Sequence, residues 1–198
     1  MLLQVQLPSA REKIYLDRRM NGEEFAAFCA RNPELVIELE ADGRVKIMSP
    51  VTPLSGSREN EIATELGMYA RKNGGKAYSS STGFTLPDGS VKSPDTSYVS
   101  AAQLSKFTAE DLRHFAPIVP EFIVEVVSPS DTLAEVQEKV RDTWIANGVR
   151  LAWLVDVDAD KLWIYRADHS VELVTPLDRT IAGEDVLPGF TFDLKHLS

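Results

Sequence analysis

The chain has 198 residues, 43% of them hydrophobic, and a formal net charge of −9. These totals suit one globular domain with a full core and leave little room for two. They exclude the broadly basic surface on which most nucleic-acid binders rely, so any nucleic-acid partner would need local cations, a divalent metal or a second subunit. The single cysteine, Cys29, excludes an intrachain disulfide and fits a reducing compartment. The N-terminus lacks the basic region and long apolar core of a signal peptide, and no apolar run reaches membrane-spanning length. A cytoplasmic protein with no membrane association is the expectation.

Residues 1–18 read as an irregular or partly extended arm. Asn21 is placed to cap a short helix over 22–31, with Glu24 at the capping-box position. Phe25, Phe28 and Cys29 form its apolar stripe, which makes Cys29 a small core residue rather than a nucleophile. Two strand-like runs, 35–40 and 44–49, the second alternating, flank Ala41-Asp42-Gly43 and predict a hairpin. Residues 50–57 read as a loop and 57–72 as a helix with Ile62, Leu66 and Tyr69 on its buried stripe, stopped by Asn73-Gly74-Gly75. A β-rich block follows over 76–100, then one or two short helices over 101–115.

The run Pro120-Glu-Phe-Ile-Val-Glu-Val-Val-Ser-Pro129 is the centre of the reading. Apolar residues at both parities predict a strand covered on both faces. Leu133, Val136, Val140 and Trp144 then recur at helical spacing up to Asn147-Gly148, and 151–157 is a second apolar strand. Strand, helix and strand in that order predict a parallel pair joined by a right-handed crossover. Residues 161–165 and 171–174 predict an antiparallel pair, and the tail over 187–194 a last extended segment. No repeat, low-complexity tract or linker interrupts the chain, so a single domain over 1–198 is expected, with an arm at 1–18 and a C-terminal extension at 167–198.

Glu125 interrupts the central strand. An ionised carboxylate in such a run is costly unless it is paired or holds a cation. Asp95 opens the preceding strand and Lys139 lies on the following helix. Two carboxylates on neighbouring strands supply hard oxygen ligands for magnesium, and an ammonium beside them can hold a water or a phosphoryl oxygen. Ordinary readings remain open: Asp95 as a strand-entry cap, and Lys139 as the surface partner of Glu135. The segment 156–160 begins like a calcium loop, but Lys161 and Ala167 stand where glycine and glutamate are required, so it reads as a hairpin turn. His114, His169 and His196 have no ligand spacing, and Trp144, Trp153 and Trp163 are core or interface residues.

Four segments carry a resemblance. They are Ile37 to Pro50, Ser81 to Val99 with its Ser93-Pro94-Asp95, Pro120 to Asp131, and Lys139 to Asp156. In order and spacing they resemble the Uma-two family of restriction-endonuclease-like proteins, a branch of the PD-(D/E)XK nuclease superfamily, over about residues 20–165. The resemblance implies a restriction-endonuclease-like fold, an α/β (mixed α+β) architecture with a central mixed sheet flanked by helices. It places the Pro-Asp of the signature on Pro94-Asp95 and the acid on Glu125. Val127 stands where the signature has lysine, and the family moves that lysine to the next helix, here Lys139. The interval from Lys139 to Gly148 is one residue longer than the resemblance leads one to expect, which makes Gln137 the alternative. Glu38 is a further acidic candidate, with an edge-strand surface role as its alternative, and the Val126 carbonyl is a further metal ligand. The implied activity is magnesium- or manganese-dependent hydrolysis of DNA phosphodiester bonds, by a homodimer for duplex cleavage. The rival expectation, favoured by the acidic balance and Val127, is a non-catalytic binding or scaffold protein with the same fold.

Overall fold

The computed structural model describes residues 13–129 and 131–197. In chain order come strand β1 (Ile14–Arg19), helix α1 (Gly22–Arg31), strands β2 (Ile37–Leu39) and β3 (Arg44–Ile47), and the long helix α2 (Pro53–Asn73). Strands β4 (Lys76–Ser79), β5 (Phe84–Thr85), β6 (Val91–Lys92) and β7 (Thr96–Val99) precede the short helix α3 (Ala101–Leu104). Then come β8 (Phe122–Val126), α4 (Leu133–Glu138), a π-helical continuation at Lys139–Ile145, and β9 (Leu151–Asp156). The last strands are β10 (Lys161–Arg166), β11 (Val171–Val174), β12 (Thr180–Ala182) and β13 (Thr191–Asp193), and a 3-10 turn at Leu194–Leu197 follows them.

The strands form a six-stranded sheet in the order β11-β10-β9-β8-β7-β4, a five-stranded sheet in the order β1-β3-β2-β6-β5, and the β12-β13 pair. Within the six-stranded sheet β8 and β9 run parallel, Phe122 opposite Leu151 and Val126 opposite Val155, while the other neighbours are antiparallel. That is the mixed sheet expected from the strand–helix–strand order. The parity argument for β8 holds as well. Phe122, Val124 and Val126 pack with Ile62 and Leu66 of α2 and with Phe190 and Phe192 of the C-terminal segment. Ile123 and Val127 pack on the other side with Val140 and Trp144 of the crossover helix. Glu125 belongs by alternation to that second side. A third apolar cluster, with Phe25, Leu39, Val45 and Val91, seats α1 on the five-stranded sheet.

Local rules account for the helix starts. The Asn21 side chain accepts the Glu24 N–H at 3.0 Å, and the Glu24 carboxylate accepts the Asn21 N–H at 3.1 Å, a complete capping box. Helix α2 begins earlier than its apolar stripe indicates. Thr52 caps it by accepting the Ser55 N–H at 3.2 Å, and Pro53 takes the first helical position, where proline costs nothing. Residues 53–57 are therefore helical, not loop. The arm read at 1–18 is also corrected in part: residues 1–12 lie outside the described residues, and Ile14–Arg19 is a strand that covers the outer edge of β3. The third correction concerns the crossover helix. It is not α-helical throughout, for a reason that lies in the site. Among the described residues no helix is long and apolar enough to cross a membrane.

Candidate functional site

The six-stranded sheet brings Asp95 and Glu125 together. β7 pairs antiparallel with β8 through Thr96 opposite Val124, and Asp95 and Glu125 are the residues next to that pair toward the same end of the two strands. The Asp95 side chain reaches across, and its Oδ2 accepts the Val126 N–H at 2.6 Å. Its Oδ1 has no hydrogen-bond partner among the described residues. Both acids, with Val126, line a cleft of about 440 Å³ between the two large sheets.

Glu125 is 4% exposed and fully engaged. The Lys139 Nζ lies 2.8 Å from its Oε1 and donates to its Oε2 at 3.0 Å, and the Trp144 indole N–H donates to Oε1 at 2.7 Å. Lys139 and Trp144 are five residues apart. On an α-helix, neighbours on one face are three or four apart, and a residue five away has rotated off it. A π-turn bonds i to i+5 and stacks those two positions. The Ala146 N–H accordingly bonds the Arg141 carbonyl, and the Val149 N–H the Trp144 carbonyl, both at 3.1 Å. The Lys139 Nζ lies 5.9 Å from the Trp144 ring centroid. The π-segment thus puts Lys139 and Trp144 on Glu125 together despite their spacing of five. Gln137 does not line the cleft, and Val127 packs in the apolar cluster.

Glu38 is 2% exposed, so its reading as a surface acid is replaced by a buried one. It accepts the Ser93 N–H at 3.1 Å and lies 3.3 Å from the Lys92 Nζ and 4.0 Å from the Lys139 Nζ. Lys92, itself 5% exposed, also pairs with Glu40 at 2.7 Å. The result is a buried chain of alternating charges running from Glu40 to Glu125. An isolated pair here would cost more in desolvation than it returns; alternation and the extra hydrogen bonds offset that cost.

The proton affinities follow from this arrangement. Burial pushes the Asp95 carboxyl well above the usual range, and the charges of Glu125 and Glu59 add to it against Lys139 and the Val126 N–H. Burial also raises Glu125, against the opposing pull of Lys139 and Trp144. Of the two acids, Asp95 has the fewer charge-stabilising partners and holds the proton more readily. For Glu38, burial is outweighed by Lys139, Lys92 and Lys46, and the carboxyl sits below its usual value. Burial works against the Lys139 charge, but Glu125, Glu38 and Asp95 outweigh it and hold the ammonium firmly protonated.

Several cleft residues escape sequence reasoning. Trp144 reads as core from its helical spacing, and nothing local tells that its N–H serves Glu125. Glu59 lines the cleft from α2, with its carboxyl raised by burial and by Glu125. Lys92 and Lys46 enter only through the pairing of β2 with its neighbours. Glu38 and Lys139, by contrast, were within reach of the sequence, and the structure sets both beside Glu125.

Magnesium or manganese can be tested against this donor set. Two carboxylates lining one cleft, one with an unpartnered oxygen, suit a hard cation that keeps several of its own waters. Among the described residues no cluster of three or more His, Cys, Asp or Glu side chains gathers to hold a metal, so protein ligands would be few. The cleft lining has nine carboxylates against four lysines, a charge balance that a divalent ion relieves. The residues present fit the group.

Comparison with known proteins bears on the family and the fold. The Uma2 family model, described as "Putative restriction endonuclease", matches residues 22–195. A solved structure described as "a putative nuclease belonging to DUF820" from Anabaena variabilis superposes with a TM-score of 0.68 at 16% identity. The superposition covers 81% of this chain and 88% of the other, which establishes the common fold. No curated protein matches the chain.

Proposed function

Because the chain belongs to the Uma2 family, we propose that it is a single-domain, divalent-cation-dependent endonuclease that hydrolyses DNA phosphodiester bonds in this cleft. The observation that carries the proposal is that Asp95 and Glu125 line one cleft, with Asp95 bonded to the Val126 N–H and Lys139 against Glu125. Asp95, Glu125 and the Val126 carbonyl would hold Mg²⁺ or Mn²⁺. When bound, the ion would supply a water acidified for attack and positive charge against the phosphate.

The protein's own groups prepare that chemistry. Trp144 fixes the plane of the Glu125 carboxylate through its 2.7 Å hydrogen bond, so the acid presents one orientation to the cleft. The Val126 N–H fixes Asp95 in the same way. Lys139 remains an ammonium, held by the Glu125 and Glu38 carboxylates, and can orient a water or oppose charge building on a phosphoryl oxygen. Glu38 sits behind Lys139 and keeps its charge in place.

One observation favours the non-catalytic alternative: Lys139 already neutralises Glu125, so the acid can stand without a metal. Supercoiled-plasmid nicking separates the two readings. The endonuclease reading expects nicking with Mg²⁺ or Mn²⁺, none with EDTA, and none from Asp95→Asn. A well-folded wild type that nicks neither DNA nor RNA with either metal leaves only the binding role. The homodimer and the cytoplasmic location belong to the same proposal; light scattering on purified protein tests the first.

A further inference from the structure

Four lysines line the cleft: Lys13, Lys46, Lys92 and Lys139. Three are committed. Lys13 pairs with Glu135 at 3.1 Å, Lys92 with Glu40 at 2.7 Å and Lys139 with Glu125 at 2.8 Å. Lys46 has no ion pair within 4.0 Å and no side-chain hydrogen bond among the described residues. It is nonetheless half-buried. It lies mid-strand on β3, opposite Glu38 of β2 on one side and Tyr15 of β1 on the other. Opposite residues share a face, so Lys46 looks into the cleft from the wall facing Asp95 and Glu125.

A partly desolvated ammonium with no partner is an unusual expense. Exposure to water would satisfy it at no cost, and long cationic side chains ordinarily extend to solvent. Burial depresses its proton affinity, the Lys139, Lys13 and Lys92 charges add to that, and the Glu38 carboxylate opposes it. An arriving anion would relieve all of this. In a protein of net charge −9, few positions can attract a polyanion at all.

Resting on the endonuclease reading, we propose that Lys46 is a phosphate anchor for the substrate: it binds a backbone phosphate of the nucleic-acid strand next to the one at Asp95 and Glu125. The contact is to the phosphate and carries no sequence information. It sets the register of the strand along the cleft.

The test is binding of a short fluorescein-labelled duplex, followed by anisotropy over a series of salt concentrations, with calcium in place of magnesium. Lys46→Met should weaken binding by the same several-fold factor on unrelated sequences. It should also lower the slope of log K against log salt by about 0.9, the signature of one lost phosphate contact. Lys46→Arg should restore both. Inorganic phosphate, the other source of the same chemistry, should compete only far above the phosphate concentration of the duplex. Competition at equal phosphate concentration overturns the strand assignment. If Lys46→Met binds with wild-type affinity and slope while the wild type still nicks plasmid, the anchor is refuted and the endonuclease reading stands. If the wild type binds no nucleic acid, both fall.

Discussion

Asp95→Asn tests the site most directly, because its effect reverses with pH and with metal. Asparagine keeps the shape and an oxygen for the Val126 N–H, whereas Asp95→Ala would strand that buried donor at a cost of about 1–3 kcal/mol. What asparagine removes is the ionisable proton. Burial, with Glu125 and Glu59, raises the folded-state proton affinity of Asp95 above that of the unfolded chain. A carboxyl raised on folding stabilises the protein fully only below its unfolded pKa, about 3.9, and that contribution is lost as pH rises through the folded value. The metal-free wild type should therefore lose stability relative to Asp95→Asn on going from acid to mildly alkaline pH. The two should converge near pH 4, and the variant should be the more stable near pH 8.

Magnesium inverts the order. A site with two carboxylates and mostly water ligands binds weakly, with a Kd of about 1 mM. At about 10 mM Mg²⁺ the linkage term is about 1.4 kcal/mol, or about 3–6 °C in Tm for a chain of this size. The wild type should gain this near pH 8, and much less near pH 5, where protons compete for Asp95. Asp95→Asn should gain nothing at either pH. Thermal melts of both proteins in EDTA and in magnesium at the two pH values supply the full comparison. Equal magnesium shifts in wild type and variant, or a metal-free wild type more stable than the variant at alkaline pH, would refute the reasoning.

Glu125→Ala should cost about 3–5 kcal/mol in urea unfolding, because it leaves the Lys139 ammonium buried and the Trp144 N–H without an acceptor; Glu125→Gln, which keeps the indole acceptor, should cost less. Equal costs would show that Trp144 does not depend on the acid. In ¹⁵N-labelled protein, substoichiometric Mn²⁺ should broaden the Trp144 indole resonance, whose N–H rests on Glu125, more strongly than that of Trp153, whose N–H has no partner among the described residues and lies on the other face of the sheet. Uniform broadening of both would place the ion elsewhere. Deleting the exposed Arg141 should convert the π-segment to α-helix and set Lys139 and Trp144 four apart, still on one face, so folding and nicking should survive. A deletion variant that unfolds would mean the π-turn is required for more than this register.

The parts legible in the sequence are those fixed by local rules. The capping box at Asn21 and Glu24, the two-sided strand at Phe122–Val126 and the parallel crossover into Leu151–Asp156 each rest on neighbours in the chain. Asp95 and Glu125 stood out because an acid beside a proline turn and an acid inside an apolar strand both need a reason. What stayed hidden depends on distant pairing. Lys46 and Lys92 look like ordinary strand lysines until β2 is paired with β3 and β6, and the same pairing decides between the two readings of Glu38 by burying it. The start of α2 was obscured because Thr52-Pro53 reads equally as a turn.

The π-segment shows how a sequence irregularity and a chemical requirement resolve each other. On a regular α-helix the spacing of five between Lys139 and Trp144 would rotate one of them off the face that the other occupies. That would send either the Lys139 ammonium or the Trp144 indole away from Glu125. Both are too costly to lose in a buried site, since each would leave a polar group unpaired. A single wide turn costs less than that, because it keeps its backbone bonds, merely to carbonyls five residues back. The helix therefore yields and the constellation does not.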